Sequence, residues 1–385
     1  MCVSLPTLSM NRGAFVRVFA SSLSPLALGA SSQSPAVREG DTTALPSMPA
    51  GMLLANVRAA RISAASPFVR RNYAAVEKLA NDIGDPDLRT SVSSLLKDPH
   101  PAYASRHPGD RLQTELRDRL AREGFVKSDD PIMGIFPGRS DGRASQPFWS
   151  APGSSTGSHH AYPGGLATHE LFNASVAIGF AATYDRIYFT DTKTIDHDTV
   201  VAAALYHDIM KTVVFQWQDD GTLAKELTIA GTGAHHTLSG AEAIVRGRSP
   251  RFVITLLSAH AAPSLGEEAK VVQWCRAAAM IAGVDPVAFG LVVRDGYAHR
   301  LSSDFVPTEA FINHLSDHDY VLSVHAMIVV REQLARLRVR YRARDLWFEN
   351  AILAQSSAIA LYQTLATNGR DAFDREIDRI VTLAG

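Results

Sequence analysis

From Met52 to Glu123 apolar residues return at helical spacing, as Leu54, Val57, Ala60 and Ile62 and then as Val76, Leu79 and Ile83. Asp85-Pro86 and Asp98-Pro99 interrupt the pattern, because proline forces the residue before it out of the helical region, so the stretch predicts several helices. Between Ser128 and Gly165 the periodicity gives way to FPGRSDGRASQPFW and SAPGSSTGSHHAYPGG, a long irregular segment of the kind kept for function and expected to lie over a site. From Leu166 amphipathic patterns resume and predict helices over about 166–184, 197–213, 234–247, 250–261, 267–282 and 286–299. Asp196 or Asp198 fits the N-cap of the second of these, and Ser249-Pro250 the start of the fourth. The tail predicts helices over about 307–341, 345–367 and 370–383. Few segments alternate with period two and no internal repeat is present, so the expected fold class is all-α.

Composition narrows the function classes. The chain has 385 residues, 46% hydrophobic and 20% charged, which fits an ordinary folded protein. A formal net charge of -1 offers no excess of cations for a phosphate backbone, so a small substrate is the better default than nucleic acid. The basic run ARLRVRYRARD, with Arg336, Arg338, Arg340, Arg342 and Arg344, reads as a solvated helix surface. Cys2 and Cys275 define no disulfide framework and no compartment. Residues 1–50 are rich in Ser, Ala and Pro and read as a leader and linker. Arg12 and Arg17 precede a small-residue apolar stretch that resembles an export signal, although Arg17 and Pro25 break its apolar run. Cytoplasmic and exported, periplasmic locations both stay open. No later stretch reaches the roughly 18 apolar residues of a membrane span.

The histidines carry the chemistry. His207 and Asp208 are adjacent near the end of an apolar helix, VVAAALYHDIMK, where two polar groups are costly to bury without a partner. A divalent cation is such a partner, since imidazole nitrogen and carboxylate oxygen are both good ligands. His169, His236 and His260 lie near the ends of neighbouring predicted helices, and Asp285 follows the fifth. Together these six residues could hold one or two ions. His197, His299, His314, His318 and His325 fall outside the pattern and are expected to be structural or exposed; Trp217 and Gln216 read as core that could also line a pocket.

At these residues the sequence resembles the HD superfamily of metal-dependent phosphohydrolases, whose ligands run H…HD…H…H…D through a helical core. The resemblance covers about residues 159–299. HHAYPGGLATHELFNASVA places the first ligand at His169, HDIMK matches the HD signature with Lys211 in the position of a frequent lysine, and HHTLSGAEAI points to His236, with His235 in an alternative register. LLSAH gives His260 and AAAMIAGVDPV gives Asp285, where Val284 replaces the family's usual alanine. The resemblance implies an HD-domain helical bundle over 166–300, with an N-terminal helical region at 51–130, the Gly/Ser/Pro-rich loop at 131–165 and C-terminal helices at 301–385. It further implies bound Mn, Zn, Fe or Mg, a small phosphorylated substrate such as a nucleotide, cleavage of a phosphomonoester or phosphodiester by activated water, and room for a homodimer. Asp208, Lys211 and His160 are the candidate catalytic residues, with His159 beside His160 as a further substrate contact. Two other readings share the ligand set: a di-iron oxygenase and a non-enzymatic, metal-stabilised sensor.

Overall fold

Three helix starts follow one rule: a side chain caps the first turn and proline occupies the position where a missing N–H costs nothing. The computed structural model describes residues 45–136, 145–189, 194–264, 266–302 and 307–384; most of the expected leader and part of the Gly/Ser/Pro-rich segment lie outside them. α1 (Leu54–Ala65) leads into α2 (Pro67–Asn81), capped by Ser66 Oγ accepting from the Val69 N–H, and α3 (Pro86–Lys97), capped by Asp85. α4 (Asp110–Arg122) completes the N-terminal region. α5 (Gly165–Tyr188), α6 (His197–Tyr206) and the single turn α7 (Lys211–Val214) follow, with Asp196 as the cap of α6. A short hairpin, β1 (Thr228–Ile229) and β2 (Thr232–Gly233), precedes α8 (Ala234–Val245), α9 (Pro250–Leu257, capped by Ser249) and α10 (Glu268–Ala282). A second antiparallel hairpin, β3 (Val292–Asp295) and β4 (Ala298–Leu301), leads to α11 (Thr308–Ser316), α12 (Tyr320–Arg338), α13 (Trp347–Ser356) and α14 (Ala358–Ala384), the last kinked at Gly369.

The all-α expectation holds: these two small hairpins are the named strand pairs among the described residues. Four local expectations change, one being the helix expected over 345–367, which breaks at left-handed Ser357 (φ 62°) between α13 and α14. Residues 286–299 form a turn and the second hairpin rather than a helix, with Gly296-Tyr297 at its tip and Gly296 at φ 60°. The helix expected over 197–213 stops at Tyr206 and resumes at Lys211, and the one expected over 307–341 breaks between Ser316 and Tyr320. Both breaks fall where buried carboxylates turn inward.

α6 is buried nearly all round, through Val200, Ala202, Ala203, Ala204 and Leu205, and packs against α5, α9 and α11. α8 lies against α10 so closely that a Cβ on Gly240 would stand 2.9 Å from Leu257 and 3.1 Å from Ala278. A second apolar cluster joins Met327, Val330, Leu334, Leu353 and Phe373 of the C-terminal helices to Val69 and Tyr162. The ends of α5, α6, α8, α9 and α11 therefore converge on one buried point.

Candidate metal centre

Each polar side chain at that point comes from a helix terminus, where the backbone can turn a ligand inward without breaking a helix. His207 follows the last residue of α6, and its Nδ1 donates to the Ala204 carbonyl at 2.8 Å. A carbonyl only accepts, so this bond leaves Nε2 as the lone-pair nitrogen. His169 stands in the first turns of α5, whose start depends on two glycines. Gly164 is left-handed (φ 82°) and a Cβ there would stand 2.4 Å from the Val69 side chain, while a Cβ on Gly165 would lie 1.8 Å from the His160 carbonyl oxygen. His235 and His236 open α8, His260 follows α9, and Asp317 follows α11.

Asp208 sits in the middle. Its Oδ2 lies 3.2 Å from His169 Nε2 and 3.3 Å from His207 Nε2, while its Oδ1 lies 3.3 Å from His235 Nε2 and 3.9 Å from His260 Nε2. Asp317 closes the first side, with Oδ1 3.2 Å from His169 Nε2 and 3.6 Å from His207 Nε2, and Oδ2 3.0 Å from His260 Nε2. One carboxylate thus faces two groups of nitrogen donors, the arrangement a shared ligand of two cations would have. His169, His207 and Asp208, and separately Asp208, His235, His236 and His260, have ligand atoms within mutual coordination reach.

The donor set fits a cation better than it fits a hydrogen-bonded core. His207 Nε2 and Asp208 Oδ1 are buried with no hydrogen-bond partner among the described residues, a condition a native core rarely tolerates, while Asp208 Oδ2 faces the Lys211 ammonium. Burial works to raise Asp208, but His207 and Lys211 hold its carboxyl well below the usual range. Burial likewise opposes the ionised form of Asp317, and His260, His169 and His207 overcome it. Two carboxylates kept anionic in a buried site make a strongly cation-attracting pocket.

Over part of its length, the chain is similar to a phosphodiesterase. It is 27% identical over 145 residues to the dihydroneopterin 2',3'-cyclic phosphate phosphodiesterase of Methanocaldococcus jannaschii, a match covering 38% of this chain and 43% of the relative. The chain thus spans less than half of that relative's length. No family model and no solved structure matches the chain.

Of the residues expected from sequence, His169, His207, Asp208, His236 and His260 meet in this cluster, and Asp285 does not. Asp285 is exposed after α10, where its Oδ1 accepts the N–H groups of Val287 (2.9 Å) and Ala288 (2.8 Å) as the cap of a turn. Asp317 stands in the place assigned to it. Sequence reading missed Asp317 because it lies between two histidines taken as structural; the signal was a carboxylate at the end of an apolar helix, in HLSDHDY, as in LYHD. His235 and His236 both reach the site, differently supported. His235 Nδ1 bonds Glu226 Oε2 at 2.7 Å, which leaves its Nε2 toward Asp208. His236 Nδ1 meets Thr232 Oγ1 at 2.5 Å and its ring stacks on His260 at 3.3 Å between centroids. Glu226 was also missed; it lies beyond the Asp219-Asp220-Gly221 turn in a stretch with no apolar period.

The remaining candidates surround the cluster. Lys211 is buried, ion-paired with Asp208, and donates to the Gly153 carbonyl at 2.5 Å, so it ties the HD turn to the loop. His160 is buried with its Nε2 2.5 Å from Asp319 Oδ2 and its Nδ1 3.2 Å from the Tyr162 hydroxyl, and its backbone is left-handed at φ 50°. Both of its nitrogens are engaged. His159 is only half-buried, with its ring 5.0 Å from that of His169. Trp217 and Gln216 are buried; Gln216 also lines a cleft.

Proposed function

We propose that the protein is an HD-type, metal-dependent phosphohydrolase that cleaves a phosphoester of a small molecule, a phosphodiester before a monoester. The observation that carries this reading is the buried Asp208 carboxylate, which faces imidazoles on two sides and whose Oδ1 has no hydrogen-bond partner among the described residues. The likeness to a cyclic phosphate phosphodiesterase supports the class of bond and says nothing of this chain's own substrate.

His169, His207, Asp208 and Asp317 would hold one divalent cation, and Asp208, His235, His236 and His260 a second. When bound, such ions supply the charge that makes water nucleophilic near neutral pH and offsets charge on phosphoryl oxygens. The chain's own residues do the rest. Ala204 and Glu226 engage Nδ1 of His207 and His235, so that Nε2 of each is turned toward Asp208. Lys211, anchored to Gly153, keeps a positive charge beside Asp208, where it stabilises negative charge as water adds to phosphorus and the bond to the leaving oxygen breaks. Burial, together with His169 and Lys211, holds His159 neutral, well below the usual histidine range. In this reading His159 orders the phosphoester at the mouth of the site. His160, held by Asp319 and Tyr162, positions the loop on which His159 sits.

The test is hydrolysis of bis(p-nitrophenyl) phosphate and of 2',3'-cyclic mononucleotides after loading with Mn, Zn, Mg or Fe. Metal-dependent cleavage that His207→Ala/Asp208→Ala abolishes is the expected result; a folded, metal-loaded protein inert toward every phosphoester would refute it.

A further inference from the structure

Beside the metal centre lies a cleft of about 650 Å³, walled on one side by residues 124–134 and on the other by 224–231. This volume falls in the range of small-molecule sites, roughly 300–1,000 Å³. Its two walls are tied together. The Ala230 N–H donates to the Phe125 carbonyl at 2.7 Å, and the Ala230 carbonyl accepts from Trp274 Nε1 at 3.1 Å. Ala230 holds this position with φ 51°, a left-handed conformation that a residue with a Cβ adopts only when its surroundings enforce it. At the base, Gly134 lies so near Leu227 that a Cβ would stand 2.8 Å from its side chain, and the Ala224 N–H bonds the Gln216 carbonyl at 2.8 Å. The cleft is therefore built by close packing and strained backbone rather than left between loose loops.

Its chemistry is one-sided. Pro131 and Leu227 offer apolar surface, backed by the buried Phe125 and Val126. Both carboxylates in the lining are committed: Asp130 Oδ2 accepts the Lys127 N–H at 2.7 Å, and Glu226 Oε2 accepts from His235. The cations are not: Lys127 and Lys225 have no ion-pair partner among the described residues. Glu226 belongs to the cleft and to the metal centre at once, so a molecule in the cleft lies one imidazole ring from Asp208.

We infer that this cleft holds the part of the substrate that does not react, and that the substrate is a phosphoester carrying a second anionic group on an organic body. The second anion meets Lys127 and Lys225, and the organic body covers Pro131 and Leu227. This rests on the phosphohydrolase reading, and the two can fail separately.

The experiment compares adenosine 2',3'-cyclic phosphate with its 5'-phosphorylated counterpart, in the metal-loaded wild type and in Lys127→Gln/Lys225→Gln, whose altered side chains are exposed. Alongside it, equilibrium dialysis measures adenosine 5'-monophosphate binding to the full chain stripped with EDTA, where the phosphate has only protein groups to meet. Two exposed charge pairs lead to a preference of about tenfold in kcat/KM for the 5'-phosphorylated substrate, expressed in KM, and to dialysis affinity about tenfold weaker in the double variant. Loss of that preference in the variant supports the inference. Equal turnover of the two substrates, or a preference that survives in the variant, overturns the cleft assignment and leaves the hydrolase reading standing. If neither compound is cleaved, the hydrolase reading rests on bis(p-nitrophenyl) phosphate and dialysis decides the cleft: weaker binding in the variant supports it, and identical or absent binding overturns it.

Discussion

Replacing Asp317 with asparagine, against the same change at Asp285, separates two candidate final carboxylates. Asp317 approaches three imidazole nitrogens at 3.0–3.6 Å and accepts from Asn173 Nδ2 at 2.9 Å. The amide keeps the shape but removes the charge, and neither its weakly basic oxygen nor its NH2 group replaces an anionic carboxylate oxygen as a metal ligand. Altering a group that merely supports a ligand costs 10–100-fold in metal affinity, so loss of the ligand itself should cost at least about 100-fold, roughly 2.8 kcal/mol. Asp285 caps an exposed turn through two N–H groups, a role asparagine fills about as well, so Asp285→Asn should change stability by no more than about 0.5 kcal/mol, about 1 °C in Tm, and cost no metal. Titration calorimetry with Mn, metal content after gel filtration and cleavage of bis(p-nitrophenyl) phosphate measure all three quantities. A fully loaded, active Asp317→Asn beside a metal-depleted Asp285→Asn would refute the assignment of the cluster.

Glu226→Gln leaves size unchanged but gives His235 Nδ1 a weaker acceptor, so metal affinity should fall about 10–100-fold with an unaltered circular dichroism spectrum. Lys211→Met keeps the length of the stem and removes the charge beside Asp208; kcat should fall about 100-fold with KM nearly constant, whereas equal losses in a metal-free stability assay and none in kcat would reassign Lys211 to structure. Gly165→Ala drives a methyl into the His160 carbonyl, and destabilisation beyond about 3 kcal/mol, read as a collapse of Tm or of soluble yield, is expected. Chelation should lower Tm and Mn should restore it, since ligand at 100 times Kd stabilises by about 2.7 kcal/mol; a Tm indifferent to metal would argue against a stoichiometric site.

The histidine and aspartate of LYHD were legible because a polar pair at the end of an apolar helix demands an explanation that composition alone cannot supply. Helix starts at Ser249-Pro250 and Asp196 were legible for a local reason, the pairing of cap and first turn. Asp317 was not, because its neighbours in space, His169, His207 and His260, lie 57 to 148 residues earlier, and no spacing rule reports such a contact. Residues 286–299 carry apolar positions that imitate a helix, yet in VVRDGYAH the glycine at 296 supplies the positive φ that the first position of a two-residue hairpin turn needs, with β-formers on its N-terminal side. The choice between His235 and His236 could not be made on sequence, since it depends on Glu226 and Thr232, which belong to a segment with no periodic pattern.

The most direct test is metal content per chain, measured by mass spectrometry on the full protein purified without added metal and on a folded His207→Ala/Asp208→Ala variant. Two divalent cations in the wild type and none in the variant are expected. A wild type without stoichiometric metal even after reconstitution, or a variant that binds as much as the wild type, would contradict the assignment of this cluster as a metal centre.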